Sequence, residues 1–212
     1  MVNKNKSLIC KENKIFVAGH KGMVGKAIMR QLKKQGFQNI VYVTKKELDL
    51  RNEIEVTNWF RINKPDLTIL SAARVGGIVA NNTYPSDFLL DNLKIQNNII
   101  ESSFRNDVNR LLFLGSSCIY PKFSPQPIKE EYLLSNSLEP TNQWYAIAKI
   151  AGIKLCEALR IQYGFDAISV MPTNLYGQGD YYDAEKSHVI PGLIRKFHDA
   201  KKNNIDSVNC WG

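Results

Sequence analysis

Lys14-Ile15-Phe16-Val17-Ala18-Gly19-His20-Lys21-Gly22-Met23-Val24-Gly25 lies near the start of the chain, and its pattern decides the fold. The run from Lys14 to Ala18 is short and apolar, as in a strand buried within a parallel sheet. Val24, Ala27, Ile28 and Leu32 then recur at helical spacing, so the stretch reads as strand, glycine turn, helix. Gly19 suits a tight turn, Gly22 lets backbone amides approach an anion, and Gly25 lets the helix pack against the strand. A helix N-terminus placed there offers unpaired N–H groups and a positive dipole end. The implied ligand is a dinucleotide pyrophosphate, cradled by Gly19, His20, Lys21, Gly22, Met23, Val24 and Gly25.

The next apolar run, Ile40-Val41-Tyr42-Val43, reads as a second strand and ends in Thr44-Lys45-Lys46-Glu47. An acid at this point holds a ribose 2′-hydroxyl, whereas cations suit a 2′-phosphate. Lys45 therefore favours NADP over NAD, with a solvated charged turn as the other reading and Glu47 as a counterweight. Asp49 and Leu50 sit where the following loop could cover an adenine. Further βα units follow: a helix over 53–63, a strand over 67–70, a loop over 76–85, a helix over about 86–105 and a strand over 110–114. A helix over about 142–163 closes at Gly164, and a strand runs over 167–171. The expected fold is α/β, a doubly wound parallel sheet whose ligands bind beyond the C-terminal strand ends. That edge gathers the glycine turn, Lys45, the small residues Ala72 and Ala73, the Leu114-Gly115-Ser116-Ser117-Cys118 strand end, and Pro172-Thr173-Asn174-Leu175.

Tyr145 and Lys149 stand four residues apart, on one face of their helix. An ammonium there lowers a phenol from its usual ~10 toward neutrality, so the tyrosine can exchange a proton. Ser116, from the preceding strand end, could share the carbonyl that Tyr145 polarises. The spacing alone arises by chance in about every third chain of this size, so its weight comes from the upstream glycine turn.

Composition narrows the classes. With 212 residues and 44% hydrophobic content, the chain can bury one sizeable core. No apolar run approaches a membrane span, and Met1 to Cys10 lacks the apolar core of a signal peptide. Residues 1–13 read as a mobile lead-in. Cys10, Cys118, Cys156 and Cys210 are scattered, which indicates neither a metal site nor a disulfide framework and fits a reduced cytoplasmic setting. The net charge of +8 is spread along the chain, so no nucleic-acid partner is expected.

The glycine turn, the strand-end serine and Tyr145/Lys149 together resemble the extended short-chain dehydrogenase/reductase superfamily, with its Rossmann-type sheet. Within it, longer stretches resemble the GDP-L-fucose synthase family: Arg74-Val75-Gly76-Gly77-Ile78-Val79-Ala80-Asn81-Asn82-Thr83-Tyr84-Pro85, Leu114 to Pro121, Tyr145 to Gly152, Met171 to Gly177 and Ser187 to Pro191. The resemblance implies NADPH-dependent conversion of GDP-4-keto-6-deoxy-D-mannose to GDP-L-fucose, by epimerisation at C3 and C5 and reduction at C4. It gives Cys118 the role of base and His188 that of acid, with inert-thiol and helix-end readings as the alternatives. It also places His188 beside the cofactor, and Lys196 and Trp211 at the substrate. It suggests a homodimer through the helices at 86–105 and 142–163. Family members continue for roughly another hundred residues. The expected division is therefore a cofactor domain over 14–175 and an incomplete substrate lobe over 176–212, the chain alone being weakly active or inactive. A disrupted gene, a shortened sequence and an enzyme completed by another chain all fit. Another sugar-nucleotide epimerase or reductase, or a non-catalytic NADP-binding remnant, are the competing readings.

Overall fold

A computed structural model describes residues 9–183 and 187–210. The strands β1 (Ile15–Ala18), β2 (Ile40–Val41), β3 (Leu67–Leu70), β4 (Arg110–Leu114) and β5 (Ala167–Val170) form one parallel sheet in the order β2-β1-β3-β4-β5. Six α-helices are described: α1 (Met23–Lys34), α2 (Glu53–Asn63), α3 (Ile78–Thr83), α4 (Pro85–Arg105), α5 (Gln143–Tyr163) and α6 (Val189–Lys202). The chain leaves β1 toward β2 on one side and returns to β3 on the other. The strand order thus reverses between β1 and β3, which is where ligands of such sheets bind.

Alternate residues of each strand serve opposite faces. Ile15 and Val17 point with Leu67 toward Ile28, Met29 and Leu32 of α1. Phe16, Ala18 and Leu70 instead join the larger core, with Val56 and Phe60 of α2, Ile99 and Ile100 of α4, and Cys156 of α5. The rings of Phe16 and Phe60 meet edge-on at 5.6 Å, and Trp59 lies 4.2 Å from Phe16. The α4–α5 seam includes a buried polar bond, Gln96 Nε2 donating to the Ala148 carbonyl at 2.6 Å.

The structure differs from the sequence reading at three places, two of them with a local cause. β2 stops at Val41, because Thr44 starts a tight turn: its carbonyl accepts from the Glu47 and Leu48 amides, each at 3.0 Å. The stretch from Gly76 to Pro85 contains a helix, α3, whose Asn81 Nδ2 donates to the Gly76 and Gly77 carbonyls. β5 ends one residue early, at Val170. Of the lead-in, residues 1–8 lie outside the described residues; Lys11 reaches the Gln35 carbonyl and sits 4.2 Å from the Phe37 ring.

Phe60 is wholly enclosed. Phe60→Ala should cost about 3–5 kcal/mol, since the cavity left behind adds to the lost transfer energy. Urea unfolding should show a lower midpoint at an unchanged slope, and a loss below about 1 kcal/mol would contradict this packing.

Candidate active site

Backbone packing builds the site at the switch point. A Cβ on Gly19 would stand 2.6 Å from the Ala72 nitrogen, and one on Gly25 would stand 2.0 Å from the Gly19 carbonyl oxygen. Gly19 also has φ +92°, a conformation that suits glycine. The turn after β1, the start of α1 and the end of β3 can therefore meet only as bare backbone. Ser71 secures the junction, its hydroxyl donating to the Ala18 carbonyl at 2.7 Å. Gly22 caps α1 without any side-chain bond, and no acid lies in the first turn. In α2, by contrast, Asn52 Oδ1 accepts from the Glu55 amide. The amides of the first turn of α1 thus remain for an anion. His20 stacks on Tyr42 at 4.5 Å, and partial burial followed by the Lys21 charge lowers its pKa.

Along the same edge, Lys45 is exposed on the turn after β2, and Leu50 is half-buried beside it. Asp49 does not lie open, because Arg51 grips its carboxylate through Nη2 at 2.6 Å and Nε at 3.0 Å. Ala73 follows Ala72 after β3. Beyond β4, Gly115 and Ser117 donate to the carbonyls of Val170 and Pro172, at 2.8 and 3.2 Å. These bonds hold the serine–cysteine turn to the end of β5. Pro172 is half-buried there, whereas Thr173, Asn174 and Leu175 are exposed.

Lys149 is the electrostatic centre. The residue is 3% exposed; Nζ donates to the Leu114 carbonyl at 2.8 Å and lies 4.8 Å from the Phe113 ring and 5.7 Å from the Tyr145 ring. Burial lowers its pKa from 10.5 to about 8. Tyr145 departs from the sequence reading: burial, then the charge of a Cys118 thiolate, raise its phenol above the ordinary value. The ammonium does not pull it down, because desolvation outweighs an interaction across the ring. Tyr145 is therefore held protonated, a donor rather than a base. Ser116 Oγ accepts from the Cys118 amide at 3.2 Å, which fixes the turn carrying both groups.

The structure thus brings Ser116, Cys118, Tyr145 and Lys149 together at the ends of β4 and α5. His188 is not joined to them by any described contact; it is exposed and forms the N-cap of α6. Lys196 Nζ donates to the Asn209 carbonyl at 3.1 Å. Trp211 lies outside the described residues. Sequence reasoning missed the ion pairs that run from Asp49 through Arg51, Asp91 and Arg74 to Asp87. Asp87 and Asp91, one turn apart on α4, were a signal available in the sequence.

The model of the NAD dependent epimerase/dehydratase family matches residues 15–212. The chain belongs to that family. It is 60% identical over 206 residues to GDP-L-fucose synthase 1 of Arabidopsis thaliana, covering 97% of this chain and 64% of that protein. It is 55% identical over 201 residues to GDP-L-fucose synthase of Escherichia coli, covering 95% of this chain and 63% of that protein. Among solved structures, a Campylobacter jejuni GDP-mannoheptose C4 reductase with NADP bound matches with a TM-score of 0.86 and 44% identity, covering 93% of this chain and 59% of that one. The chain thus spans less than two thirds of the length of these relatives.

A lysine proton that binds less well in the folded state makes stability rise with pH. For Lys149 the window runs from about 8, its folded value, to 10.5; below it, the buried charge is a full penalty. Lys149→Met should therefore be more stable than the parent at pH 7 by about 1–3 kcal/mol. Urea titrations should show that gap narrowing between pH 8 and 10.5, and a gap independent of pH would contradict the buried ammonium.

Proposed function

We propose that the chain carries the cofactor and catalytic groups of an NADPH-dependent enzyme converting GDP-4-keto-6-deoxy-D-mannose to GDP-L-fucose. The observation that carries this reading is a buried Lys149 behind Tyr145, at the strand end that holds Ser116 and Cys118. Identities of 60% and 55% to two GDP-L-fucose synthases support the choice of substrate. The glycine junction fits a dinucleotide, since a Cβ on Gly25 would fill the close approach that opens the α1 amides. Gly19 to Gly25 would hold the pyrophosphate, with Lys45, Asp49 and Leu50 toward the adenosine end. Ala72, Ala73, Leu114, Gly115, Ser117 and residues 172–175 would line the rest of the crevice. In this reading residues 14–175 form the cofactor domain, and 176–212 lie on the substrate side with Lys196 and Trp211.

NADPH supplies the hydride for C4 when bound. Cys118 removes a proton α to the ketone, at C3 or C5, and His188 returns one to the opposite ring face. Tyr145 donates a hydrogen bond to the C4 oxygen while the enolate forms, then gives that oxygen its proton after reduction. Ser116 shares the same oxygen. The buried Lys149 ammonium keeps a positive charge near the site as negative charge develops on it. Negative charge developing on Cys118 favours the protonated phenol.

Exposed Leu90 of α4 and Ile147 and Ile161 of α5 support a homodimer through these helices. The four free cysteines support a reducing, cytoplasmic setting. A second reading, C4 reduction of another GDP-sugar without epimerisation, draws on the similarity to the heptose C4 reductase.

The test follows deuterium entry at C3 and C5 and NADPH oxidation with GDP-4-keto-6-deoxy-D-mannose. Tyr145→Phe should lower C4 reduction by about 10²–10⁴-fold. Cys118→Ser should remove the exchange while NADPH titration still reads binding. Wild-type reduction by Tyr145→Phe would overturn the assignment, and reduction without exchange in the parent would favour the second reading.

A further inference from the structure

The turn after β2 carries charges of both signs within five residues. Lys45, Lys46 and Glu47 are exposed, the Glu47 carboxylate accepting from the Thr44 amide at 2.7 Å, and Asp49 follows at half-burial. The two signs have opposite consequences at this place in a dinucleotide-binding sheet. A carboxylate accepts hydrogen bonds from a ribose 2′-hydroxyl and repels a 2′-phosphate; cations do the reverse. Glu47 offsets one of the two lysines, so the balance turns on whether the Asp49 charge is expressed or covered.

It is covered. Arg51 donates to Asp49 through Nε, at 3.0 and 3.2 Å to the two oxygens, and through Nη2 at 2.6 Å; its own amide adds a fourth bond at 3.1 Å. Those bonds hold Asp49 well below the usual carboxylate range, at about 2, so the acid is ionised at any working pH. The turn closed by the Leu48 amide on the Thr44 carbonyl, at 3.0 Å, separates Lys45 from Asp49, and the Lys45 charge lowers Asp49 a little further. Arg51 is itself held from the far side. Its Nη1 donates to Asp91 at 3.2 Å, and Asp91 in turn accepts from Arg74 at 2.8 Å, with Asp87 beyond at 3.0 Å. The Leu50 carbonyl accepts from Asn98 of α4 at 2.9 Å, so the backbone between Asp49 and Arg51 is pinned as well. Arg51 is therefore fixed over Asp49 from both ends. Removing it strips Asp49 of its covering charge while Asp91 keeps Arg74.

We propose that Arg51 is a specificity-determining residue: by covering the Asp49 carboxylate it leaves the charge beside the adenosine net positive, with Lys45 and Lys46 set against Glu47 alone, and so selects a 2′-phosphorylated dinucleotide over the unphosphorylated one. The proposal rests on the reading that the glycine turn cradles a dinucleotide.

The test is equilibrium titration of the chain with NADPH and with NADH, followed by nicotinamide fluorescence, with thermal unfolding as a check on each variant's fold. Arg51→Met should lower the ratio of NADPH to NADH affinity by about fivefold or more, the scale of one uncovered charge a few ångströms from a phosphate in water. Arg51→Gln keeps N–H donors without the charge and carries the same expectation, which preserves the test if the methionine variant does not fold. Arg51→Lys keeps the charge and should hold the ratio within about twofold of the parent. The double variant Asp49→Asn/Arg51→Met should recover the parent ratio, because no carboxylate remains to be covered. A structural role alone would weaken both nucleotides equally and would not be repaired by the second change. An unchanged ratio in Arg51→Met and Arg51→Gln, an equal loss for both nucleotides, or no recovery in the double variant overturns the proposal while leaving the dinucleotide reading in place. Failure of the parent chain to bind either nucleotide overturns both.

Discussion

Three backbone segments meet at the switch point with no room for a single Cβ between them. Gly25 stands against the Gly19 carbonyl and Gly19 against Ala72, so α1, β1 and the end of β3 share one junction. Everything at the candidate site is placed relative to it. The close approach sets α1 against the face of Ile15 and Val17, and leaves Phe16 and Ala18 to pack with α2, α4 and α5. It also aims the uncapped start of α1 along the edge where β3, β4 and β5 end. A side chain at Gly25 would disturb the sheet crossing and the anion cradle together, because one contact serves both.

Much of this was legible in the residues because its causes are local. Glycines at 19, 22 and 25 between an apolar run and a helical repeat describe a βα turn through backbone sterics alone. The bounds of α2 were equally clear, since Ile54, Val56, Trp59, Phe60 and Ile62 supply an apolar face and Pro65 stops the helix. What escaped reading depended on distant groups. α3 is held together by Asn81 reaching back to Gly76 and Gly77, two glycines that otherwise signal a loop. The chain of ion pairs draws Asp49 and Arg51, Arg74, and Asp87 and Asp91 from three separate segments. Spacing along the chain sets Asp87 and Asp91 on one face of α4, but gives no hint that Arg51 and Arg74 share Asp91.

Tyr145 and Lys149 show why local spacing can give the right residues and the wrong protonation. Four residues on a helix place both groups on one face, and a Coulomb argument made in water then lowers the phenol. The sheet supplies the opposing effect. Phe113 lies under the ammonium, the Leu114 carbonyl takes one of its protons, and solvent reaches 3% of the residue. Desolvation disfavours the charged form of each group, which lowers the lysine and raises the tyrosine. A shift of that size in the lysine corresponds to roughly 3 kcal/mol. The fold sustains this penalty at a place where packing alone would favour an apolar side chain.

The Arg51 pairs present the complementary case, because their energetic weight is small. Both arginines are about a third exposed, and pairs so placed typically contribute about 0–1 kcal/mol each. Stability is thus a weak reason for three acids and two arginines to meet at this edge. Their effect on the local field is larger, since Glu47 already offsets one of the two lysines, and Asp49 either cancels the charge that remains or, when covered, leaves it in place. The lysine under Tyr145 and the arginine over Asp49 therefore act in the same way from opposite dielectric settings. Each leaves positive charge facing a ligand, one by burying an ammonium and the other by covering a carboxylate.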